Sequence, residues 1–124
     1  MIPNVASKVL VVDDHERFRV AARTLLEEMG LDVIGEAESG ESALELFERF
    51  KPDIVLLDIQ LPGMDGIEVA RKLFDAGHSP IIVLTSSREA EDYGARLRAL
   101  PDAVFVGKTD LSSAALAAAI GETA

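Results

Sequence analysis

The stretch VLVVDD, Val9 to Asp14, places four consecutive apolar residues directly before two adjacent carboxylates. Continuous apolarity over this length is typical of a β-strand covered on both faces, as in a parallel sheet. Two neighbouring carboxylates repel each other, and burying both without a partner would be costly. We therefore expect a central strand whose carboxyl end serves a chemical purpose.

Similar apolar segments recur along the chain and alternate with helical patterns. Strands are predicted over 8–13, 32–38, 53–58, 80–85 and 103–107, the second being weaker and partly alternating. Apolar residues from Phe18 to Met29 repeat with helical spacing, and Gly30 follows where a helix stop is expected. Further helices are predicted near 41–50, 67–76, 88–99 and 112–121. Five strands alternating with five helices predict a three-layer α/β fold with a five-stranded parallel sheet.

Length and composition narrow the function classes. The 124 residues suit one domain, assigned to 8–121 after an N-terminal lead over 1–7. The chain has no cysteine, no apolar run long enough to span a bilayer and no signal-peptide pattern, so a cytoplasmic protein is expected. A net charge of −10 would repel phosphate backbones and anionic lipid, which argues against direct nucleic-acid or membrane binding.

Chemically capable side chains follow four of the predicted strands. The first strand ends with Asp13 and Asp14, the third with Asp58 and the fourth with Thr85, and Lys108 lies just beyond the fifth. In open parallel sheets, ligands bind outside the carboxyl ends of the strands. We therefore expect these five side chains to form one site.

Three carboxylates in one site would raise one another's pKa unless a cation lay among them. Mg²⁺ suits a site with carboxylates, a backbone carbonyl and retained waters. Three aspartates, one lysine and one Mg²⁺ together carry no net charge. An aspartate can attack phosphorus, and phosphoryl transfer requires mainly positioning and charge neutralisation.

Four segments together resemble the receiver domain of two-component response regulators: VVDDHERFR, DIVLLDIQLPGMDG, IIVLTSS and FVGKTDL. The resemblance covers about residues 8–120. It implies a single (βα)5 flavodoxin-like domain that takes a phosphoryl group from a histidine kinase or phosphotransfer protein and then switches an interaction surface. It also implies a downstream protein or fused output domain as a further partner. No dedicated external substrate is expected, only Mg²⁺-dependent self-phosphorylation and autodephosphorylation.

The resemblance also implies residue roles. Asp58 would be the phosphoacceptor, and Lys108 and Thr85 would contact phosphoryl oxygens. Thr85 would also act as a switch together with Phe105. The metal set consists of Asp13, Asp14, Asp58 and the main-chain carbonyl of Gln60. Gln60 and Ser87 hold positions that tune hydrolysis in the family. His15 is interpreted as an exposed residue that begins a helix, not as a ligand.

Two departures from the family pattern affect this interpretation. Thr109 stands where proline with a cis bond is common, so a trans or strained peptide bond is expected. The last helix carries no charged side chain, which puts the usual salt-bridged dimer in doubt, although its apolar residues could still pack against a second copy. An aspartyl-phosphate phosphohydrolase and a phosphorylation-independent interaction domain are the alternatives. The first typically carries a D-x-D motif and a cap insertion, and the second has no need of the acidic set.

Overall fold

The computed structural model describes residues 6–121, so the first five residues of the predicted lead lie outside the described part. Five strands form one parallel sheet: β1 Lys8–Val12, β2 Asp32–Ala37, β3 Ile54–Asp58, β4 Ile81–Ser86 and β5 Val104–Gly107. Their spatial order is β2-β1-β3-β4-β5. This is the flavodoxin-like order, in which the sequence order reverses between β1 and β3. The predicted fold is confirmed, with every strand boundary within one residue of its expected position.

Helices cover both faces of the sheet: α1 Glu16–Glu28, α2 Gly40–Phe50, α3 Gly66–Asp75, α4 Ala95–Arg98 and α5 Ser113–Ile120. Leu26 of α1 and Leu116 of α5 are buried in one core layer. Phe47 of α2 and Leu73 of α3 are buried in the layer on the other face. Because the central strands lie between these layers, their apolar runs are continuous. Within residues 6–121, each helix is too short or too polar to cross a membrane.

The helix predicted over 88–99 is wrong in its extent. A 3₁₀ turn spans Ala90–Asp92, and α4 amounts to a single turn. Gly94 separates the two with φ +54° and ψ −128°, a conformation that a right-handed helix cannot contain. Backbone geometry at this glycine therefore overrides the helical pattern of its neighbours.

Ser39 caps the N-terminus of α2, since its hydroxyl accepts a hydrogen bond from the backbone N–H of Ser42 at 3.1 Å. Ser39→Ala should lower the free energy of unfolding by about 1 kcal/mol, because that N–H loses its partner. Ser39→Asp keeps an acceptor and should stay close to the wild type. Urea unfolding of the three proteins measures the difference, and equal losses in both variants would contradict a capping role.

Candidate functional site

The strand ends meet at one edge of the sheet and bring the predicted side chains together. Asp13 directly follows β1, and Asp58 is the last residue of the neighbouring β3. Asp58 and Thr85 are register partners on β3 and β4. All three residues are buried, with exposures of 0% for Asp13, 1% for Asp58 and 0% for Thr85. Polar groups buried this completely need partners, and their partners define the site.

Lys108 is the cation of the cluster. Its Nζ lies 2.7 Å from Oδ2 of Asp13 and 3.5 Å from Oδ2 of Asp58. The ammonium also lies 4.4 Å from the centroid of the Phe18 ring, a cation–π distance. The Lys108–Thr109 peptide bond is trans, one of the two outcomes expected without proline. Lys108 therefore reaches both buried carboxylates from a fixed position after β5.

The Asp58 carboxyl is electrostatically unsatisfied. Burial and the charge of Asp13 raise its pKa from the ordinary 3.8 to about 6, although Lys108 and the backbone N–H of Gln60 act in the opposite direction. The positive charge of Lys108 thus does not fully offset the burial of Asp58 and the negative charge of Asp13. An additional cation would relieve this imbalance.

The Oδ1 atoms of Asp13 and Asp14 face His15. One ligand atom each from Asp13, Asp14, His15 and Asp58 lies within 4.8 Å of the others, a spacing that a metal ion could bridge. The Nδ1 atom of His15 is 3.2 Å from Oδ1 of Asp13 and 3.1 Å from Oδ1 of Asp14. Of the predicted metal set, the three aspartates are brought together. The oxygen-rich donors fit a hard divalent ion such as Mg²⁺.

Gln60 and Thr85 also line the cluster. Gln60 makes hydrogen bonds there, whereas the Thr85 hydroxyl makes none within residues 6–121. The backbone N–H of Gln60 donates to Oδ1 of Asp58 at 3.2 Å, while its side-chain oxygen accepts hydrogen bonds from Ser86 and Ser87. The Thr85 hydroxyl is buried and has no hydrogen-bond partner within residues 6–121. Because Thr85 is the register partner of Asp58, its hydroxyl is an unused hydrogen-bond donor beside Asp58 in the sheet.

Sequence reasoning missed two supports of this site. Arg19 donates from Nη1 to the main-chain oxygen of Asp13 at 2.6 Å and from Nε to Glu36 at 2.9 Å, which ties the end of β1 to β2. The sequence could have indicated this contact, because Arg19 follows His15 by four residues. Residues at that spacing lie on the same face of a helix, so the Arg19 side chain can reach back to the loop after β1.

The second support is Tyr93. Its hydroxyl lies 2.5 Å from Oγ of Ser86, and its ring centroid is 6.4 Å from that of Phe105. Tyr93 thus connects the residue after Thr85 with the predicted aromatic switch, which is only half-buried. Tyr93 lies in the segment between the 3₁₀ turn and α4, where the sequence predicted a continuous helix, so no sequence signal located it.

Comparison with known proteins agrees with this geometry. The family model described as response regulator receiver domain matches residues 9–110. Response regulator GacA of Pseudomonas aeruginosa is 40% identical over 91 residues, which are 73% of this chain and 42% of GacA. Protein-glutamate methylesterase/protein-glutamine glutaminase 3 of Hahella chejuensis is 42% identical over 84 residues, 68% of this chain and 24% of that protein.

A solved structure has the same fold. The signal receiver domain of the putative response regulator NarL from Mycobacterium tuberculosis superposes with a TM-score of 0.79 at 32% identity. The match covers 96% of this chain and all of that domain. This chain spans less than half the length of both full-length relatives. By the family match, its parallel sheet and the acidic cluster at the strand ends, the chain belongs to the receiver domain family of two-component response regulators.

Proposed function

We propose that Asp58 accepts a phosphoryl group from a phosphohistidine of a histidine kinase or phosphotransfer protein, and that the added charge switches an interaction surface. The observation that carries this proposal is the position of the Asp58 carboxylate, 3.5 Å from the Lys108 ammonium and within the acidic cluster. In such a transfer, the P–N bond to the donor imidazole breaks as a P–O bond to Asp58 forms. The imidazole leaves with a proton in place of the phosphoryl group.

Receiver domains generally bind Mg²⁺ at an acidic pocket. Here we propose Asp13, Asp14, Asp58 and the main-chain carbonyl of Gln60 as its ligands. When bound, Mg²⁺ would neutralise negative charge on the carboxylates and on the incoming phosphoryl oxygens. The raised pKa of Asp58 supports this proposal, because it reflects negative charge that Lys108 alone leaves uncompensated.

The remaining residues would act through hydrogen bonds and charge. Phosphorylation replaces about one negative charge on Asp58 by about two. Lys108 already contacts Asp58 and would pair with a phosphoryl oxygen. The unpartnered hydroxyl of Thr85 would donate to another oxygen, as a preorganised donor does for developing charge.

The conformational change would be transmitted from Thr85 to β5 through side-chain contacts. Movement of Thr85 would pull on Ser86, whose Oγ contacts the Tyr93 hydroxyl, and Tyr93 packs near Phe105. The surface formed by the 3₁₀ turn at Ala90–Asp92, α4 and β5 would then change its shape. A ligand-biased equilibrium between two conformations describes this response.

Partners and compartment belong to the same proposal. A downstream protein or a fused output domain would read the switched surface, and the cytoplasm is the expected compartment. The net charge of −10 supports a protein partner over direct binding to nucleic acid. A homodimer through the uncharged α5 stays a prediction.

The test is chemical labelling of the purified chain with acetyl phosphate and MgCl2, followed by intact mass and peptide mapping. We expect one phosphoryl group per chain, carried by Asp58 and released by hydroxylamine, as acyl phosphates are. Chelation of Mg²⁺ should reduce uptake strongly, because the negative charge of the reacting groups is then uncompensated. A folded protein that takes up no phosphoryl group, or takes it up at another residue, would refute the proposal.

A further inference from the structure

The first turn of α1 places an aromatic ring against the Lys108 ammonium. Phe18 is the third residue of α1, and its ring centroid lies 4.4 Å from Nζ of Lys108. The ring is half-buried and packs on the core layer that contains Leu26 and Leu116. Packing explains an apolar side chain at this position, but a large aliphatic residue would serve that purpose equally well. Attraction of a cation to its face is a property of an aromatic ring.

Lys108 is held from more than one side. Its Nζ lies 2.7 Å from Oδ2 of Asp13 and 3.5 Å from Oδ2 of Asp58, and the Phe18 ring covers a further side. The Lys108 side chain is only 19% exposed, so little water reaches it. A cation–π contact is stronger in such a shielded position than at an open surface. The ring therefore helps to keep the ammonium next to the two carboxylates.

A neutral ring suits this position better than a further acidic side chain would. Asp13, Asp14 and Asp58 already bring three carboxylates into the cluster. Another carboxylate beside Lys108 would add negative charge and would compete with Asp58 for the ammonium. The quadrupole of the ring attracts the cation without carrying formal charge, and it does not occupy an N–H group in a strong hydrogen bond. Lys108 thus stays near Asp58 with donors available.

The proposed phosphoryl transfer requires a small movement of Lys108. Its ammonium is closer to Asp13 than to Asp58, and pairing with a phosphoryl oxygen on Asp58 would weaken its contact with Asp13. A cation is attracted to a ring anywhere within about 6 Å of the centroid, so the contact with Phe18 tolerates a displacement. Phe18 can therefore attract the ammonium both before and during the transfer.

We propose that Phe18 is a positioning residue for phosphoryl transfer to Asp58. The negative face of its ring holds the Lys108 ammonium at the carboxylate pair, and this raises the rate at which Asp58 is phosphorylated. The inference rests on the proposed function, because it concerns the same reaction. It gives Phe18 an electrostatic role in addition to its packing in the core.

Fluorination of the Phe18 ring separates electrostatic attraction from packing. Each fluorine withdraws electron density from the ring face, while the side chain keeps nearly the same shape. The experiment replaces Phe18 site-specifically by phenylalanine with one, two or three ring fluorines and measures the initial rate of phosphorylation by acetyl phosphate with MgCl2. The same trifluorinated residue at Phe74 is the matched control. Phe74 is also half-buried, and no cation lies over its ring within residues 6–121.

We expect the logarithm of the phosphorylation rate to fall in nearly equal steps as fluorines are added at Phe18. The trifluorinated protein should react about three- to tenfold more slowly, in line with the loss of a shielded cation–π contact. Trifluorination at Phe74 should leave the rate unchanged. In Lys108→Met, fluorination at Phe18 should have no further effect on the residual rate, because the ammonium is absent. Circular dichroism checks that each protein is folded.

Nuclear magnetic resonance tests the contact without any phosphodonor. Protons above the face of an aromatic ring resonate at higher field. The ε-methylene protons of Lys108 should therefore lie upfield of those of Lys72, which lies over no ring in the part of the chain that the structure describes. Lys108→Arg removes this signal and so identifies it. Phe18→Leu should return it to the position of an ordinary lysine.

Two results would overturn the positioning role of Phe18. One is an equal phosphorylation rate across the fluorinated series, and the other is an ε-methylene signal of Lys108 without an upfield shift. Both leave phosphoryl acceptance by Asp58 standing as long as the wild type is labelled. If the wild type takes up no phosphoryl group, the proposed function fails and the positioning role fails with it. The methylene signal then still shows whether Phe18 and Lys108 are in contact.

Discussion

Asp58→Asn should abolish phosphoryl uptake and, at the same time, make the metal-free protein more stable at pH 8 by about 1–3 kcal/mol. The first effect follows because an amide cannot serve as the attacking carboxylate. The second follows because Asp58 is buried beside Asp13 with a pKa raised from 3.8 to about 6. A group that binds its proton more tightly in the folded state destabilises that state once it is ionised.

The stability difference between Asp58→Asn and the wild type depends on pH. Below about pH 4, Asp58 is protonated in both the folded and the unfolded chain and contributes no difference. Between about pH 4 and 6 the unfolded chain has lost the proton while the folded chain keeps it, so the stability of the wild type falls as the pH rises. Above about pH 6, Asp58 is ionised in the folded chain as well, so the full destabilisation by its buried charge is present. The advantage of Asp58→Asn should therefore appear between pH 4 and 6 and stay constant above that.

Urea unfolding in the presence of a chelator, from pH 4.5 to 8, measures the advantage of the variant. Asp102→Asn makes the same chemical change at an exposed carboxylate and should show no such pH-dependent gain. Added Mg²⁺ should stabilise the wild type more than Asp58→Asn, because an ion that binds only the folded state stabilises it by mass action. A variant less stable than the wild type at pH 8 without metal would contradict the electrostatic account of this site.

The strands were predictable because burial on both faces leaves a direct mark in the sequence. Runs such as that from Val9 to Val12 have no polar alternation, and each ends where a charged or hydroxyl side chain begins. The segment 88–99 was not predictable in the same way. Glycine is tolerated inside helices at a cost of about 1 kcal/mol, so the presence of Gly94 alone did not predict that the helix would be interrupted. Its positive φ is a property of the folded backbone.

The site was predictable in its strand-end residues and not in the contacts between them. Strand order places Asp13 beside Asp58, and β-pairing places Thr85 beside Asp58, so three positions follow from topology. The direction of the His15 ring depends on a loop conformation that no periodic pattern encodes. The contact of Tyr93 with Ser86 likewise depends on how the chain turns after β4. Loop residues therefore account for most of what the sequence did not show.

Gly66→Ala should destabilise the protein by about 3 kcal/mol or more and displace Asp58 from the cluster. Gly66 begins α3, and its N–H donates to the main-chain oxygen of Ile59 at 2.9 Å. A Cβ at this position would lie 2.2 Å from the main-chain oxygen of Asp58 and 2.9 Å from Cα of Ile59. Both obstacles are backbone atoms, so no side-chain rotation relieves the overlap.

The overlap couples stability to the site because the atom that must move is the carbonyl of Asp58 itself. Either α3 withdraws from the sheet and opens the core around Val69 and Ala70, or the end of β3 shifts and carries Asp58 away from Lys108. Gly35→Ala is the matched control. Its added methyl would meet only Leu10 Cδ1 at 3.6 Å and Leu46 Cδ1 at 4.0 Å, which are ordinary contacts.

Urea unfolding and acetyl phosphate labelling of both variants separate the two effects. Gly35→Ala should unfold within about 1 kcal/mol of the wild type, because alanine also restricts the unfolded chain, and it should be labelled normally. Gly66→Ala should lose labelling even at low temperature and without denaturant, where any folded fraction is largest. If Gly66→Ala instead unfolds and is labelled like the wild type, the 2.2 Å approach of its Cβ to the main-chain oxygen of Asp58 does not constrain α3 or the end of β3. That result would contradict the coupling between the start of α3 and the position of Asp58.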